Sequence, residues 1–513
     1  MSEIAYETFS NFSKFYGEKY LTSNVQIINP ATGQFEYVGQ KYRYFTTLKG
    51  LRIMAFGVLF DFTGNSNVSK VIKAADMINQ QWFLDAVNYP EPIDLFVLLG
   101  HNPIRTTVSS STMGLVYRKI RSLRPDIPLQ AFGGHTHIRD FQVYDDRSTG
   151  LESGRYCETL GWLSMSGIKS SSYHGLQYPH NYPHPTRKAT NTSTSGITYS
   201  RRYLDWNRKT FAYHALKSQD ETFDYGSGLR VTAEITKDRK LLNLSSLYGC
   251  APETYCQSCK PVGAKGNIFT DLIPTALAET VINPARSNIA RYIIINTGSI
   301  RFDLVEGPFT YDDSFIVSPF DDAFQYIPSV PYDVAKNILN SLNGAPLIDK
   351  RYNSAASSSL GMMPRSVAHD SCQDPVIAAI ASRSNKNAHT GITRRQTIVT
   401  AGYTTVDDFG SDGDDTPHSK IPNYNQPNYV QAKAAFPADG STPDVVDVVF
   451  LDFFAASVVQ KLNSFGGKYT ISDVAYYVDK SFTTRSYLPE YAKRKWQANV
   501  PKCPVGMGVG SWM

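Results

Sequence analysis

The length and composition of the chain restrict the kind of protein that it can be. Its 513 residues suffice for two or three domains with cores of their own, and 42% hydrophobic and 19% charged residues are ordinary values for a globular protein. The net charge of +5 is small and Lys and Arg form no block, so neither nucleic-acid binding nor a basic membrane surface is indicated. The sequence contains no run of 18 apolar residues and predicts no transmembrane helix.

Strand-like and helix-like segments alternate in the first part of the chain. Apolar runs predict buried strands at 51–62, 93–102 and 126–137. Amphipathic segments between them predict helices at 66–88 and 109–124. This alternation is typical of a layered α/β domain, in which functional groups gather at the carboxyl ends of the strands.

A second domain is predicted from about residue 245. The segment 267–282 is helix-like, although Pro274 must kink or shorten the helix. A buried strand is predicted within 291–304, and 446–463 predicts a strand that passes into a helix. The predicted boundaries are 1–225 for the first domain, 226–244 for a linker and 245–500 for the second domain.

Six cysteines include a Cys256-Gln-Ser-Cys259 pair. A single CxxC pair without a second one is weak evidence for zinc. A disulfide with the nearby Cys250, or buried thiols, is the favoured interpretation.

Three histidines follow predicted strands of the first domain. His101 ends the second strand, and His135 and His137 end the third in the sequence Gly-Gly-His-Thr-His. In an extended segment, residues i and i+2 point to the same side, so His135 and His137 can reach two neighbouring ions or one ion from two sides. Imidazole is a common ligand of zinc, manganese and iron. The pattern therefore indicates a metal site, against the alternative of three unrelated histidines.

The histidine pattern resembles that of the metallophosphoesterase superfamily, and specifically its 5′-nucleotidase branch. In that family a lone His after a strand precedes a Gly-His-x-His or Gly-His-x-Gln motif, as His101 precedes Gly134–His137 here. Further segments resemble the family's C-terminal domain: "NTGSIR" (296–301), "SPFDDAF" (318–324), "DDFGSDGDD" (407–415) and "VDVVFLDFFAASVVQ" (446–460). Others, such as "LFDFTGN", "SGRYCETLGW" and "RRYLDWNR", resemble its fungal subgroup.

The resemblance implies both a fold and an activity. The expected fold class is α/β: the remainder of a layered α/β/β/α metallophosphoesterase domain followed by an α+β 5′-nucleotidase C-terminal domain. The expected reaction is hydrolysis of a nucleotide, or another phosphomonoester, to a nucleoside and phosphate. Two divalent metal ions, zinc, manganese or similar, serve this reaction in the family. By resemblance, His101 and His135 hold one ion and His137 the other.

The same resemblance assigns substrate-binding roles in the second domain. Phe320 and Phe409 are expected to sandwich a nucleobase, and Arg301 to pair with the phosphate through its planar fork. The remaining expected substrate contacts are Asn296, Gly298, Asp322 and Asp415. Asp322 stands where the family usually has Asn, which removes a hydrogen-bond donor and adds a negative charge.

Some motifs of the family are not found. No histidine precedes His101, so the Asp-x-His and Gly-Asn-His motifs cannot be present in this sequence. We therefore expect that the N-terminal metal-binding segment is missing, that no catalytic residue is retained and that activity is impaired. Two alternatives stay open: a non-catalytic protein that binds nucleotides or nucleosides, and a mononuclear zinc protein using His101, His135 and His137.

The expected partner is a small phosphomonoester, with no nucleic acid and no membrane span. No signal peptide is visible in the first thirty residues. Fungal members of the family act in the vacuole or outside the cell, and the resemblance implies the same compartments here.

Overall fold

A computed structural model describes residues 2–63, 65–155, 157–173, 185–216, 223–344, 406–410 and 424–503 of the chain. The strands are β1 (Val25–Ile28), β2 (Phe35–Tyr37), β3 (Arg43–Thr46), β4 (Arg52–Gly57), β5 (Ser69–Val71), β6 (Leu95–Leu99), β7 (Leu129–Phe132), β8 (Arg139–Asp145), β9 (Ser148–Ser153), β10 (Thr159–Ser166), β11 (Arg187–Lys188), β12 (Thr198–Asp205), β13 (Leu247–Ala251), β14 (Arg291–Asn296), β15 (Gly307–Thr310), β16 (Phe324–Pro331), β17 (Val406–Asp407), β18 (Tyr429–Ala434), β19 (Val445–Leu451) and β20 (Ala475–Tyr476).

The helices are α1 (Ser2–Glu7), α2 (Ser13–Tyr16), α3 (Ala74–Met77), α4 (Gln81–Val87), α5 (Met113–Leu123), α6 (Arg208–Leu216), α7 (Gly226–Leu241), α8 (Ile273–Thr280), α9 (Tyr311–Val317), α10 (Tyr332–Ala335), α11 (Ile338–Gly344), α12 (Ala455–Ser464) and α13 (Tyr487–Lys495). Among the described helices, none combines the length and the apolar character that crossing a membrane requires.

A seven-stranded sheet forms the centre of the first domain, in the order β17-β8-β9-β7-β6-β4-β3. Its middle strands β4, β6, β7 and β9 run parallel. Phe56, Phe96 and Leu98 of this sheet are fully buried in one core with Val116 and Ile120 of α5. Burial of each such side chain stabilises the fold by about 1.5–3 kcal/mol. The carboxyl ends of β6 and β7 thus lie on a rigid platform.

The single helix predicted at 66–88 is wrong. β5 pairs antiparallel with β1 through Val25↔Val71, and the short helices α3 and α4 follow it. The β-branched Val68, Val71 and Ile72 favour an extended backbone. The pattern predicted one helix because the apolar residues of two short helices and one strand fall at a spacing similar to that of a single amphipathic helix.

The second domain contains a five-stranded sheet in the order β18-β14-β19-β16-β20. β14 and β19 lie parallel, so their carboxyl ends meet at one edge. The core beneath this edge contains four fully buried side chains: Ile293, Ile294, Val448 and Val449. Pro274 lies in the first turn of α8, where a missing N–H costs no helical hydrogen bond. The predicted α/β domain followed by an α+β domain is confirmed.

The segment between the domains is helical. α7 covers most of the linker predicted at 226–244, and none of its residues is buried. The predicted pairing of Cys250 with the CxxC motif is wrong: Cys250 bonds to Cys503, and Cys256 bonds to Cys259. The Cys250–Cys503 disulfide can form because β13 packs against the helical turn Gln497–Lys502, which directly precedes Cys503.

Candidate functional site

The three histidines lie where two adjacent parallel strands of the first sheet end. Leu99 and Phe132 are register partners at the ends of β6 and β7, and the histidines follow within a few residues. A Cβ on Gly100 would lie 1.9 Å from the carbonyl oxygen of Val58, so only glycine permits this close approach. Glycine therefore brings His101 against the neighbouring strand.

His135 and His137 lie in the left-handed backbone region, with φ of 77° and 61°. The expectation of an extended segment, with both side chains on one side, is therefore wrong. The chain turns twice at these residues between β7 and β8. Each left-handed non-glycine residue costs about 1–2 kcal/mol. Strain of this kind is concentrated at functional sites, where the surrounding structure holds it.

His101 and His135 are in direct contact. Nδ1 of His135 lies 3.0 Å from Nε2 of His101, and the Phe60 ring packs 4.2 Å from the His135 ring. Burial lowers the pKa of His101, and burial together with the neighbouring His101 lowers the pKa of His135 to about 3. Both rings are therefore neutral at physiological pH, which is the form that binds metal ions.

The contact of His101 with His135 suits two ligands of one cation. Two imidazole nitrogens on a tetrahedral zinc ion, each at 2.0–2.1 Å, lie about 3.3 Å apart. Within the described ranges, however, the histidines do not belong to any group of three converging His, Cys, Asp or Glu ligand atoms. These residues fit part of one metal site, and they fit neither the mononuclear three-histidine site nor a complete dinuclear site.

A buried carboxyl group supports the histidine loop from below. Glu152 of β9 accepts hydrogen bonds from the Thr136 hydroxyl and, at 2.7 Å, from the Ile104 backbone N–H. Burial raises the pKa of Glu152 well above its ordinary value. Because Thr136 lies between His135 and His137, this carboxyl group fixes the turn that carries both imidazoles. Sequence reasoning missed Glu152, since nothing in an ordinary strand marks one residue as a support.

The second domain contributes the residues expected to bind substrate. Asn296 ends β14 and is 6% exposed, and its amide oxygen has no hydrogen-bond partner among the described residues. Gly298 lies in the tight turn Thr297–Ser299, and Arg301 follows. The Arg301 guanidinium stacks on the Phe320 ring at 5.1 Å. The structure therefore brings Arg301 and Phe320 together.

Asp322 lies beside the loop that carries Phe320. The Asp322 backbone N–H donates to the Thr484 hydroxyl at 3.2 Å, and the Thr484 N–H donates to the Asp322 carbonyl at 3.0 Å. These bonds fix the Asp322 backbone at the entrance to β16.

Phe409 occupies a different place from the one expected for a base-stacking ring. It is 6% exposed and packs 4.6 Å from Phe141 in the first domain, with the guanidinium groups of Arg187 and Arg201 over its ring at 4.9 and 5.2 Å. Its ring is covered in this structure. Asp415 lies outside the described residues.

Arg155 reaches the site from the turn after β9 and was not selected from the sequence. Its Nη1 lies 3.5 Å from Nδ1 of His137. Burial, together with the charges of Arg155 and Arg301, lowers the pKa of His137 to about 3. Positive charge from both domains thus acts on His137. A turn sets the position of Arg155. In the sequence, the residues of this turn do not differ from those of an ordinary surface loop.

Comparison with known proteins gives consistent similarities. Residues 254–459 match the family described as NAD nucleotidase, C-terminal domain. A protein of Arthroderma benhamiae named "Secreted protein" is 51% identical over 522 residues, covering 98% of this chain and 77% of its own length. An uncharacterized protein of Schizosaccharomyces pombe is 34% identical, covering 96% of this chain and 76% of its own length.

A solved structure identifies the class. The crystal structure of the 5′-nucleotidase from Candida albicans is similar with a TM-score of 0.74 and 31% sequence identity, and the match covers 96% of this chain and 81% of that one. The chain belongs to the 5′-nucleotidase family.

Proposed function

We propose that the protein binds nucleoside 5′-monophosphates between its two domains and serves their hydrolysis to nucleoside and phosphate. The observation that carries this proposal is the Arg301–Phe320 stack, whose positive charge acts on His137. An aromatic face suits a base and a guanidinium suits a phosphate, which supports a nucleotide as the ligand.

Each domain has a separate task in this proposal. Arg301 and Phe320 hold the phosphate and the base, and the buried Asn296 offers its amide oxygen to a ligand donor. His101 and His135 would contribute two ligands to a divalent ion such as zinc or manganese, and such an ion would lower the pKa of bound water and neutralise phosphate charge.

The test is phosphate release from AMP with added Zn²⁺ or Mn²⁺, together with AMP binding by calorimetry. Turnover that is lost in His101→Ala and in Arg301→Ala, but kept in the exposed Arg118→Ala, supports the proposal. Absence of both AMP binding and turnover in the unaltered protein would contradict the proposal.

One observation favours a second candidate function, nucleotide binding without turnover. Among the described residues, no carboxylate completes a three-ligand group around His101 and His135. AMP binding that depends on Arg301, with no phosphate released at any metal concentration, would select this alternative.

We also propose that the protein acts outside the cell or in the vacuole. Support comes from the family resemblance and from the name of the Arthroderma relative, "Secreted protein". Fractionation of the native fungal culture into medium, vacuoles and cytosol tests this, and a purely cytosolic location would contradict it.

A further inference from the structure

The turn that carries Arg155 is built by two residues around it. Gly154 has a φ of +87°, and a Cβ there would lie 1.9 Å from a carboxylate oxygen of Glu158. The Arg155 N–H donates to that carboxylate at 3.0 Å, and the Glu158 N–H donates to the Arg155 carbonyl at 3.0 Å. The backbone of Arg155 is therefore fixed, and its side chain leaves the turn in one direction.

That direction leads to the boundary between the domains. The Arg155 guanidinium contacts His137 of the first domain at 3.5 Å. Asp303 lies on the second-domain side. Burial raises its pKa, and the hydrogen bond from the Gln257 N–H and the charge of Arg155 reduce this rise. Asp303 follows Arg301 by two residues, so both guanidinium groups lie near the same short loop.

Positive charge from both domains meets at this boundary. The Arg155 guanidinium lies 3.5 Å from His137, and the charge of Arg301 also acts on His137. The Asp303 carboxylate already accepts a hydrogen bond from the Gln257 N–H at 2.7 Å. Two planar guanidinium groups that act on the same side chain suit a phosphate, which has several acceptor oxygens.

We propose that Arg155 is a phosphate-binding residue contributed by the first domain, so that the phosphate of the substrate is held between Arg155 and Arg301 and joins the two domains. This inference rests on the proposed function for the identity of the substrate. It adds a residue that touches the substrate and a reason for the ligand to bridge the domains.

The test is calorimetric titration of the whole chain with inorganic phosphate, AMP and adenosine in the presence of a chelator. Arg155→Ala should weaken phosphate and AMP binding by about tenfold or more, because a charge-assisted hydrogen bond is lost. Adenosine, which lacks the phosphate, should bind the variant as it binds the unaltered protein. Arg118→Ala removes the same charge from an exposed face of α5 and should leave all three affinities unchanged.

Unchanged phosphate affinity in Arg155→Ala would overturn the inference, and so would a failure of the unaltered protein to bind phosphate. An equal loss of phosphate and adenosine binding would also overturn it, since that result indicates a merely structural role. If Arg155→Ala does not fold, Arg155→Gln, which keeps a polar side chain and removes the charge, replaces it. Because binding is measured without turnover, AMP hydrolysis together with native phosphate affinity in the variant refutes this inference alone.

Discussion

Arg201 of β12 and Asp407 of β17 form a buried ion pair between segments 206 residues apart, and each side chain is only 2% exposed. β17 lies in the chain between the strands of the second domain, yet it pairs parallel with β8 at the edge of the first-domain sheet. The Asp408 N–H donates to the Phe141 carbonyl at 3.0 Å, and the Arg201 guanidinium also donates to the Gly410 carbonyl at 2.8 Å. The segment 406–410 therefore fastens the second half of the chain to the first domain.

Arg201→Met should destabilise the protein by about 3–5 kcal/mol at pH 7.5, because it leaves the Asp407 carboxylate buried without its cation. Urea unfolding measures the change. Arg208→Met is the matched control, since the Arg208–Asp224 pair is 47% and 38% exposed and solvent screens it. Equal effects of the two substitutions would contradict the assignment.

The stability contributed by Asp407 should depend on pH. Burial raises its pKa from 3.8 to about 6, although Arg201 opposes the rise. The folded state then binds more protons than the unfolded state between these values, so this contribution is present at low pH and is lost as the pH rises through 6. The free energy of unfolding should fall by up to about 1.4 kcal/mol per pH unit relative to Asp407→Asn. A difference between the two proteins that does not change from pH 4 to 7 would show that the pKa is not raised.

The two glycines near the histidines should respond differently to alanine. Gly100→Ala places a methyl group 1.9 Å from the Val58 carbonyl oxygen, whereas a Cβ on Gly134 meets nothing within 4 Å. We expect Gly100→Ala to cost about 1–3 kcal/mol or more by overpacking, and Gly134→Ala to be neutral within about 0.5 kcal/mol. Urea unfolding of both variants decides the matter, and a tolerated Gly100→Ala would refute the close packing of the strand ends.

The left-handed backbone at His137 predicts an inverted order of stability for two substitutions. His137→Gly and His137→Ala remove the same imidazole, but only glycine adopts a φ of 61° without strain. His137→Gly should therefore be more stable than His137→Ala by about 1 kcal/mol in urea unfolding. At an ordinary backbone position the alanine variant is the more stable of the two, and that outcome would contradict the strained turn.

Local patterns in the sequence predicted much of the fold. The amphipathic period of 109–124 predicted α5, and the apolar runs predicted β4, β6 and β7, because each pattern reports burial of one short segment. The convergence of His101 and His135 followed from the order of the parallel strands. Local sequence patterns were sufficient to predict these elements, and the order of the strands was sufficient to predict this contact.

Tertiary contacts determine what the sequence did not reveal. The left-handed turns at His135 and His137 depend on the Glu152 support beneath Thr136, which lies on another strand. The position of Phe409 depends on Arg201 and Phe141, residues more than 200 positions away. Arg155 reaches the domain boundary only because Gly154 and Glu158 shape its turn. Such contacts leave no periodic trace in a single sequence.

The central claim is that a nucleoside 5′-monophosphate binds between the domains with its phosphate on Arg301. Calorimetric titration of AMP into the unaltered protein and into Arg301→Ala tests it most directly. We predict saturable binding that inorganic phosphate competes away, and a loss of affinity of about tenfold or more in the variant. The same AMP affinity in Arg301→Ala as in the unaltered protein would contradict the claim.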